Sequence, residues 1–138
     1  MTGVQTCALP ISGNLTLVFE ATDHVSPLLT ANTHKIGIRI PAHPVAFALV
    51  RQVQGPITGT SANLSGEPGC SHVCQLPPAM IQGADLILDA GPLKGGPGST
   101  IVDVTLDPVR ILRQGAIATQ QIHQALLFKK KGYSYNPR

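Results

Sequence analysis

The sequence predicts an α+β fold: an open, twisted, mixed β-sheet with flanking helices. Strand-like and helix-like segments are short and intermixed, without the regular strand-helix alternation that marks a doubly wound parallel sheet. At 138 residues, 43% hydrophobic and only 12% charged, the chain can build one packed core and is too apolar to be disordered. No internal repeat and no linker interrupts it, so one domain is the expectation.

Each element follows from a local pattern. Leu15 to Ala21 (LTLVFEA) is an apolar run with β-branched and aromatic members, which predicts a largely buried strand. Ile36 to Ile40 (IGIRI) alternates isoleucines with Gly37 and Arg39, a period-2 strand that Pro41 stops. Pro44 suits the first turn of a helix, and Ala46, Leu49, Val50 and Val53 recur at helical spacing until Gly55-Pro56 ends it. A second helical stretch, Val73 to Ile81, is interrupted by Pro77 and Pro78 and closed by Gly83. Asp85 to Asp89 (DLILD), Thr100 to Thr105 (TIVDVT) and Val109 to Leu112 (VRIL) predict three more strands, the last two joined by a turn at Asp107-Pro108. Asp85 and Asp89 are then the flanks of a buried strand rather than an acid-base pair. Thr119 is expected to cap a final helix through Ile122, Ala125 and Leu126.

The two ends differ from this body. Residues 1–12 (MTGVQTCALPIS) have no apolar period or cap and resemble translated sequencing-adapter read-through, so they are expected to be a non-native leader, with native sequence from about Gly13. Residues 127–138 form a basic tail. Four of the ten Lys and Arg residues (Lys129, Lys130, Lys131, Arg138) lie in it, which leaves six against seven acids, a formal charge of −1, over residues 1–128. The body is therefore no basic nucleic-acid surface, although the tail leaves RNA contact open. Three cysteines give no disulfide framework and fit a reducing compartment, so a cytoplasmic protein is expected. No run approaches the roughly 18 apolar residues of a membrane span, and the N-terminus lacks the positive n-region of an export signal.

Three segments could carry chemistry. Thr58 to Gly66 (TGTSANLSG), read as following a strand, combines small hydroxyl and amide side chains with glycines, which lets backbone N–H groups approach a phosphate. A Ser/Asn turn that caps its own backbone explains the same composition equally well. Gly91 to Thr100 (GPLKGGPGST) could close over a ligand, and Ser99 and Thr100 stand where the loop enters a strand, where a hydroxyl can be held rigidly. Arg113, at a strand end beside Gln114-Gly115, can reach a phosphate with two parallel hydrogen bonds. No metal site is expected: the histidines at 24, 34, 43, 72 and 123 lack zinc spacing, and Cys70-x-His72-x-Cys74 has no second half. Neither a G-x-S-x-G elbow nor a Walker-type loop is present.

Taken in order, Asn14-Leu15-Thr16-Leu17-Val18-Phe19, Gly37-Ile38-Arg39-Ile40-Pro41, Thr60-Ser61-Ala62-Asn63-Leu64-Ser65-Gly66, Ser99-Thr100-Ile101-Val102-Asp103 and Leu112-Arg113-Gln114-Gly115-Ala116 resemble the YrdC family of threonylcarbamoyl-AMP synthases. The resemblance covers about residues 13–124, within a YrdC-like domain at 13–126. It implies the YrdC/RibB-like open mixed sheet around a positive cavity. The implied enzyme is a nucleotidyltransferase that joins L-threonine, bicarbonate and ATP into threonylcarbamoyl-adenylate with release of pyrophosphate. A partner complex then transfers the group to tRNA. By motif position, Thr16, Ser61, Asn63, Gly69 and Arg113 would contact ATP, while Gly59 and Ser99 would contact threonine. Mg²⁺ would be held chiefly by phosphate oxygens. No side-chain nucleophile is implied, because alignment and charge neutralisation carry the reaction.

The chain also departs from the family. Asn14 stands where members usually have Pro, Gly69 where many have Ser, and Glu20 places an acid near the threonine pocket. The family's P-T-D-T-x-Y-G-L and K-x-R motifs, which grip threonine and phosphates, are absent. Without them the chain is expected to be inactive alone, with apolar surface and a strand edge exposed. The rival readings are a carbamoyl-adenylate-forming domain of a hydrogenase maturation carbamoyltransferase and a noncatalytic double-stranded RNA-binding module.

Overall fold

The computed structural model describes residues 13–64, 66–67 and 69–129. The predicted leader and all of the basic tail beyond Lys129 lie outside them. The chain divides into two compact units, one of residues 1–42 with 98–138 and one of residues 43–97.

The first unit carries the sheet. Its strands β1 (Leu15–Glu20), β2 (Lys35–Ile38), β3 (Thr100–Asp103) and β4 (Arg110–Arg113) stand in the order β2-β1-β3-β4. The central pair β1 and β3 is parallel, and both outer pairings are antiparallel, so the sheet is mixed and open as the sequence predicts. Leu15 and Leu17 of β1, Val102 of β3 and Ile111 of β4 share one face by register. The helix α4 (Thr119–Lys129) belongs to this unit, and its Ile122 joins Leu15, Val102 and Ile117 in the buried cluster. Leu17, Val104, Val109, Ile111 and Leu126 pack around that cluster.

The core face is unevenly covered. Ile38, beside Leu17, is 52% exposed, and Phe19 and Ile40 are exposed as well. The β2 isoleucines, placed by their alternation on the core side, therefore lie at its rim, next to the outer edge of the sheet.

The second unit holds α2 (Pro44–Val53), a 3₁₀ turn at Val73–Gln75 and α3 (Pro78–Gly83). The helix α2 begins at Pro44 as expected, but its left-handed C-cap is Gln54 rather than Gly55. The stretch Val73 to Ile81 is split at Pro77, which cannot continue a helical hydrogen-bond ladder.

Four expectations are corrected. Asp85 to Asp89 forms no strand: Leu86 is 74% exposed, and the Asp89 carboxylate accepts from the Gly91 N–H at 2.8 Å. An apolar run specifies a wish for burial, whereas a strand also needs a neighbour to pair with. Thr58 to Gly66 follows α2 with no strand between. A one-turn helix, α1 (Pro27–Thr30), appears where none was expected, started by the Ser26 hydroxyl accepting from the Leu28 N–H at 3.3 Å. Thr119 does not cap α4. Its hydroxyl donates to Gln114 Oε1 at 2.9 Å, and Gln121 reaches back to accept from the Ala118 N–H at 3.1 Å, half of a capping box with Ala118 at the cap.

Candidate functional site

The sheet face opposite α4 gathers the polar groups of the first unit. Ile101 of β3 is flanked by Thr16 of β1 on one side and Arg113 of β4 on the other, so these three side chains lie in a row across one face. Ser99, two residues before Ile101, points to the same face. Its hydroxyl shares a 2.8 Å hydrogen bond with that of Thr16.

Arg113 reaches this row because of an irregularity in β4. Val102 pairs with Ile111 and Ile101 with Arg113, so Leu112 is an extra residue in the ladder. Strict alternation from Ile111 puts Arg113 on the core face, and the bulge turns it to the other. The guanidinium then donates to the Ser99 carbonyl from Nη2 at 2.9 Å and from Nε at 3.3 Å. Arg113 is exposed, and its Nη1 group makes no hydrogen bond among the described residues.

The backbone here is closely fitted. The Ala116 N–H donates to the Gly98 carbonyl at 2.9 Å. A Cβ on Gly115 would stand 2.5 Å from the Gly98 oxygen and 2.6 Å from the Ser99 oxygen, so only glycine fits. Gly98 itself has φ +74°, a left-handed conformation that favours glycine at the end of the loop.

Further along the same face Asp103 is buried and bonded to Lys35 Nζ at 2.8 Å. The Lys35 ammonium, then the Thr105 hydroxyl and amide, hold its carboxyl down from an ordinary 3.8 to about 2, against the upward push of burial. Sequence reasoning did not foresee this pair. An aspartate inside the apolar run TIVDVT was the available signal, since a buried charge requires a partner.

The other predicted residues, Gly59, Ser61, Asn63 and Gly69, belong to the second unit. Gly59, Ser61 and Gly69 are exposed. Asn63 Nδ2 donates to the carbonyls of Leu64 at 2.9 Å and Glu67 at 2.7 Å, which is the self-capping turn, while its buried Oδ1 has no partner among the described residues. Ala62 and Cys70, neighbours in sequence of Ser61, Asn63 and Gly69, help line a cavity of about 450 Å³ whose wall is mainly apolar, with Ala46, Leu49, Val73 and Ile87. Among the described residues no cluster of three or more His, Cys, Asp or Glu could hold a metal ion. Nor is any helix among them long and apolar enough to cross a membrane.

An open mixed sheet with a parallel centre, antiparallel edges and an Arg-hydroxyl row on the face away from α4 defines an α+β domain. The model of the Sua5/YciO/YrdC family, described as telomere recombination, matches residues 5–115. The chain belongs to that family. A threonylcarbamoyl-AMP synthase of Schizosaccharomyces pombe is 38% identical over 120 residues, 84% of this chain and 28% of the relative, and one of Bacillus subtilis is 38% identical over 118 residues, 83% and 33%. The crystal structure of Pyrococcus abyssi Sua5 complexed with L-threonine superposes with a TM-score of 0.72 at 28% identity, over 81% of this chain and 33% of that one. Escherichia coli YciO superposes with a TM-score of 0.62 at 29% identity, over 79% and 53%. The chain thus spans about a third of the length of the first two relatives.

Proposed function

We propose that the chain is part of a threonylcarbamoyl-AMP synthase, a nucleotidyltransferase that forms L-threonylcarbamoyladenylate and pyrophosphate from L-threonine, bicarbonate and ATP for tRNA modification. The observation that carries this reading is the row of Thr16, Ser99 and Arg113 on one sheet face, in a chain of the Sua5/YciO/YrdC family. The names of the relatives and the threonine complex of one structural neighbour support the substrates.

In this reading the threonine amine is first carboxylated by bicarbonate, with loss of water. A carbamate oxygen then attacks the α-phosphorus of ATP, and pyrophosphate leaves. The protein's part is alignment and charge neutralisation. Arg113, already steered by the Ser99 carbonyl, presents its Nη1 group to phosphate oxygens without first having to be ordered. The Thr16 hydroxyl, paired with that of Ser99, offers a further donor to the same phosphates, and Ser99 is by motif position a contact of threonine. By motif position, Ser61, Asn63 and Gly69 are further contacts of ATP and Gly59 a further contact of threonine. Magnesium arrives with ATP as part of the substrate, held by phosphate oxygens. The resulting adenylate passes to tRNA through a partner complex, in the cytoplasm. The relatives' names favour neither the hydrogenase-maturation nor the RNA-binding alternative.

The test is ATP- and threonine-dependent pyrophosphate release by this chain joined to the family's N-terminal segment, which supplies the P-T-D-T-x-Y-G-L and K-x-R motifs. Arg113→Ala is expected to lower release about a hundredfold. A folded protein that releases no pyrophosphate would sink the reading.

A further inference from the structure

Beside the Arg-hydroxyl row lies a residue that none of these roles uses. Thr100, the first residue of β3, is fully buried on the core face, turned away from Thr16 and Arg113. Its hydroxyl makes three hydrogen bonds: it donates to the Ile117 carbonyl at 2.7 Å and accepts from the N–H groups of Gly115 at 2.9 Å and Ile117 at 3.1 Å. One proton and two lone pairs are all a hydroxyl has, so it is saturated. The partners sit in the turn that follows β4, and that turn bears on the segment holding Ser99 through the Ala116–Gly98 hydrogen bond and the close approach of Gly115 to the Ser99 backbone.

We propose that Thr100 is a positioning residue for phosphate binding: its hydroxyl clamps the Gly115–Ile117 turn onto the start of β3, which fixes the Ser99 carbonyl where it steers the Arg113 guanidinium. The inference rests on the reading that Arg113 meets the phosphates of ATP. Without the hydroxyl, the buried N–H and carbonyl of Ile117 and the half-buried N–H of Gly115 lose their partner, and the turn must shift to find others. Arg113 then loses the fixed oxygen that aims it, although Thr100 itself never touches a ligand. Filling the space is not enough. Valine keeps the volume and β-branching of threonine and removes the bonds, whereas serine keeps the bonds and removes a methyl group.

The experiment takes the chain joined to the family's N-terminal segment, as in the pyrophosphate test, and compares it with Thr100→Val, Thr100→Ser and Gly115→Ala in the same protein, all held below their unfolding midpoints. Two quantities are read: the affinity for magnesium-ATP by equilibrium dialysis, and the exchange protection of the Arg113 Nε–H by NMR. Thr100→Val is expected to weaken ATP binding by about tenfold to a hundredfold and to abolish the Nε–H protection, while Thr100→Ser restores both to near the parent values. Gly115→Ala, which pushes on the Ser99 backbone from the other side of the clamp, is expected to behave as Thr100→Val does, and it decides the matter if the valine variant fails to fold. Parent-like ATP affinity and Nε–H protection in folded Thr100→Val, or in Gly115→Ala in its place, overturns the proposal. If the joined parent protein is folded and binds no ATP, the phosphate reading of Arg113 fails and the proposed role falls with it. Loss of Nε–H protection in Thr100→Val then shows the clamp alone.

Discussion

The two compact units solve the problem of burial differently. Every buried residue among those described belongs to the first unit: Leu15, Val18, Thr30, Ser99, Thr100, Val102, Asp103, Ile117 and Ile122. In the second unit even α2 buries no residue, although its apolar positions recur at helical spacing. Both units are rich in apolar side chains, so composition does not separate them. What separates them is pairing. Segments distant in sequence, β1 and β3, lie side by side and give α4 a continuous apolar face to cover, whereas residues 43–97 contain helices and loops and no strand among the described residues. The Arg-hydroxyl row stands on the well-buried unit, which suits groups that must be held in place.

The comparison breaks most readily at Ile122. Truncating it to alanine removes a buried side chain that touches both β1 and β3 through the central cluster, and should cost about 3 kcal/mol of stability. The same truncation at Leu49 of α2, which is exposed, should cost under about 1 kcal/mol. Chemical denaturation of the two variants beside the parent measures both. Equal losses would mean that the units do not differ in the way their burial says.

A second contrast is electrostatic and depends on pH. Because the folded carboxyl of Asp103 titrates near 2 rather than 3.8, the folded state holds its proton less tightly than the unfolded chain does. Its stabilising contribution is therefore complete above about pH 4 and is lost as pH falls from there through about 2. Thermal midpoints recorded from about pH 5 to about pH 2, the window set by that shift, should fall more steeply in the parent than in Asp103→Asn. Parallel pH profiles would show that the Lys35 pair does not hold the charge as described.

How much of this was legible beforehand follows the same division. The presence of β1, β2, β3, β4, α2 and α4 could be read from apolar runs, periodicity and proline signals, although the apolar positions of α2 stay unburied and Ile38 of β2 is exposed. DLILD was misread because its run of Leu86, Ile87 and Leu88 states hydrophobicity and says nothing of a pairing partner. The helix α1 was legible after all, in Ser26 followed by Pro27, a cap and a first-turn proline too short-ranged to weigh against the flanking polar residues. At the site, Thr16, Ser99 and Arg113 could be named from motifs and from their places at strand ends. Their meeting could not, since it depends on the parallel register of β1 with β3 and on the extra residue Leu112, which reverses the face that alternation assigns to Arg113.

The smallest expected effect lies in the misread segment, and it sharpens the comparison because the sequence ranks that segment among the most apolar. Leu86 is 74% exposed and belongs to no strand, so Leu86→Ser gives up little buried area and should change stability by less than about 0.5 kcal/mol. The backbone gives an independent reading. Amides of residues 86–88 have no ladder partner, while those of β1 and β3 lie in the centre of the sheet, so hydrogen exchange should be complete in the former long before the latter. Slow exchange at 86–88 together with a large loss in Leu86→Ser would mean that DLILD is a buried strand in solution, and that the apolar run had been the better guide.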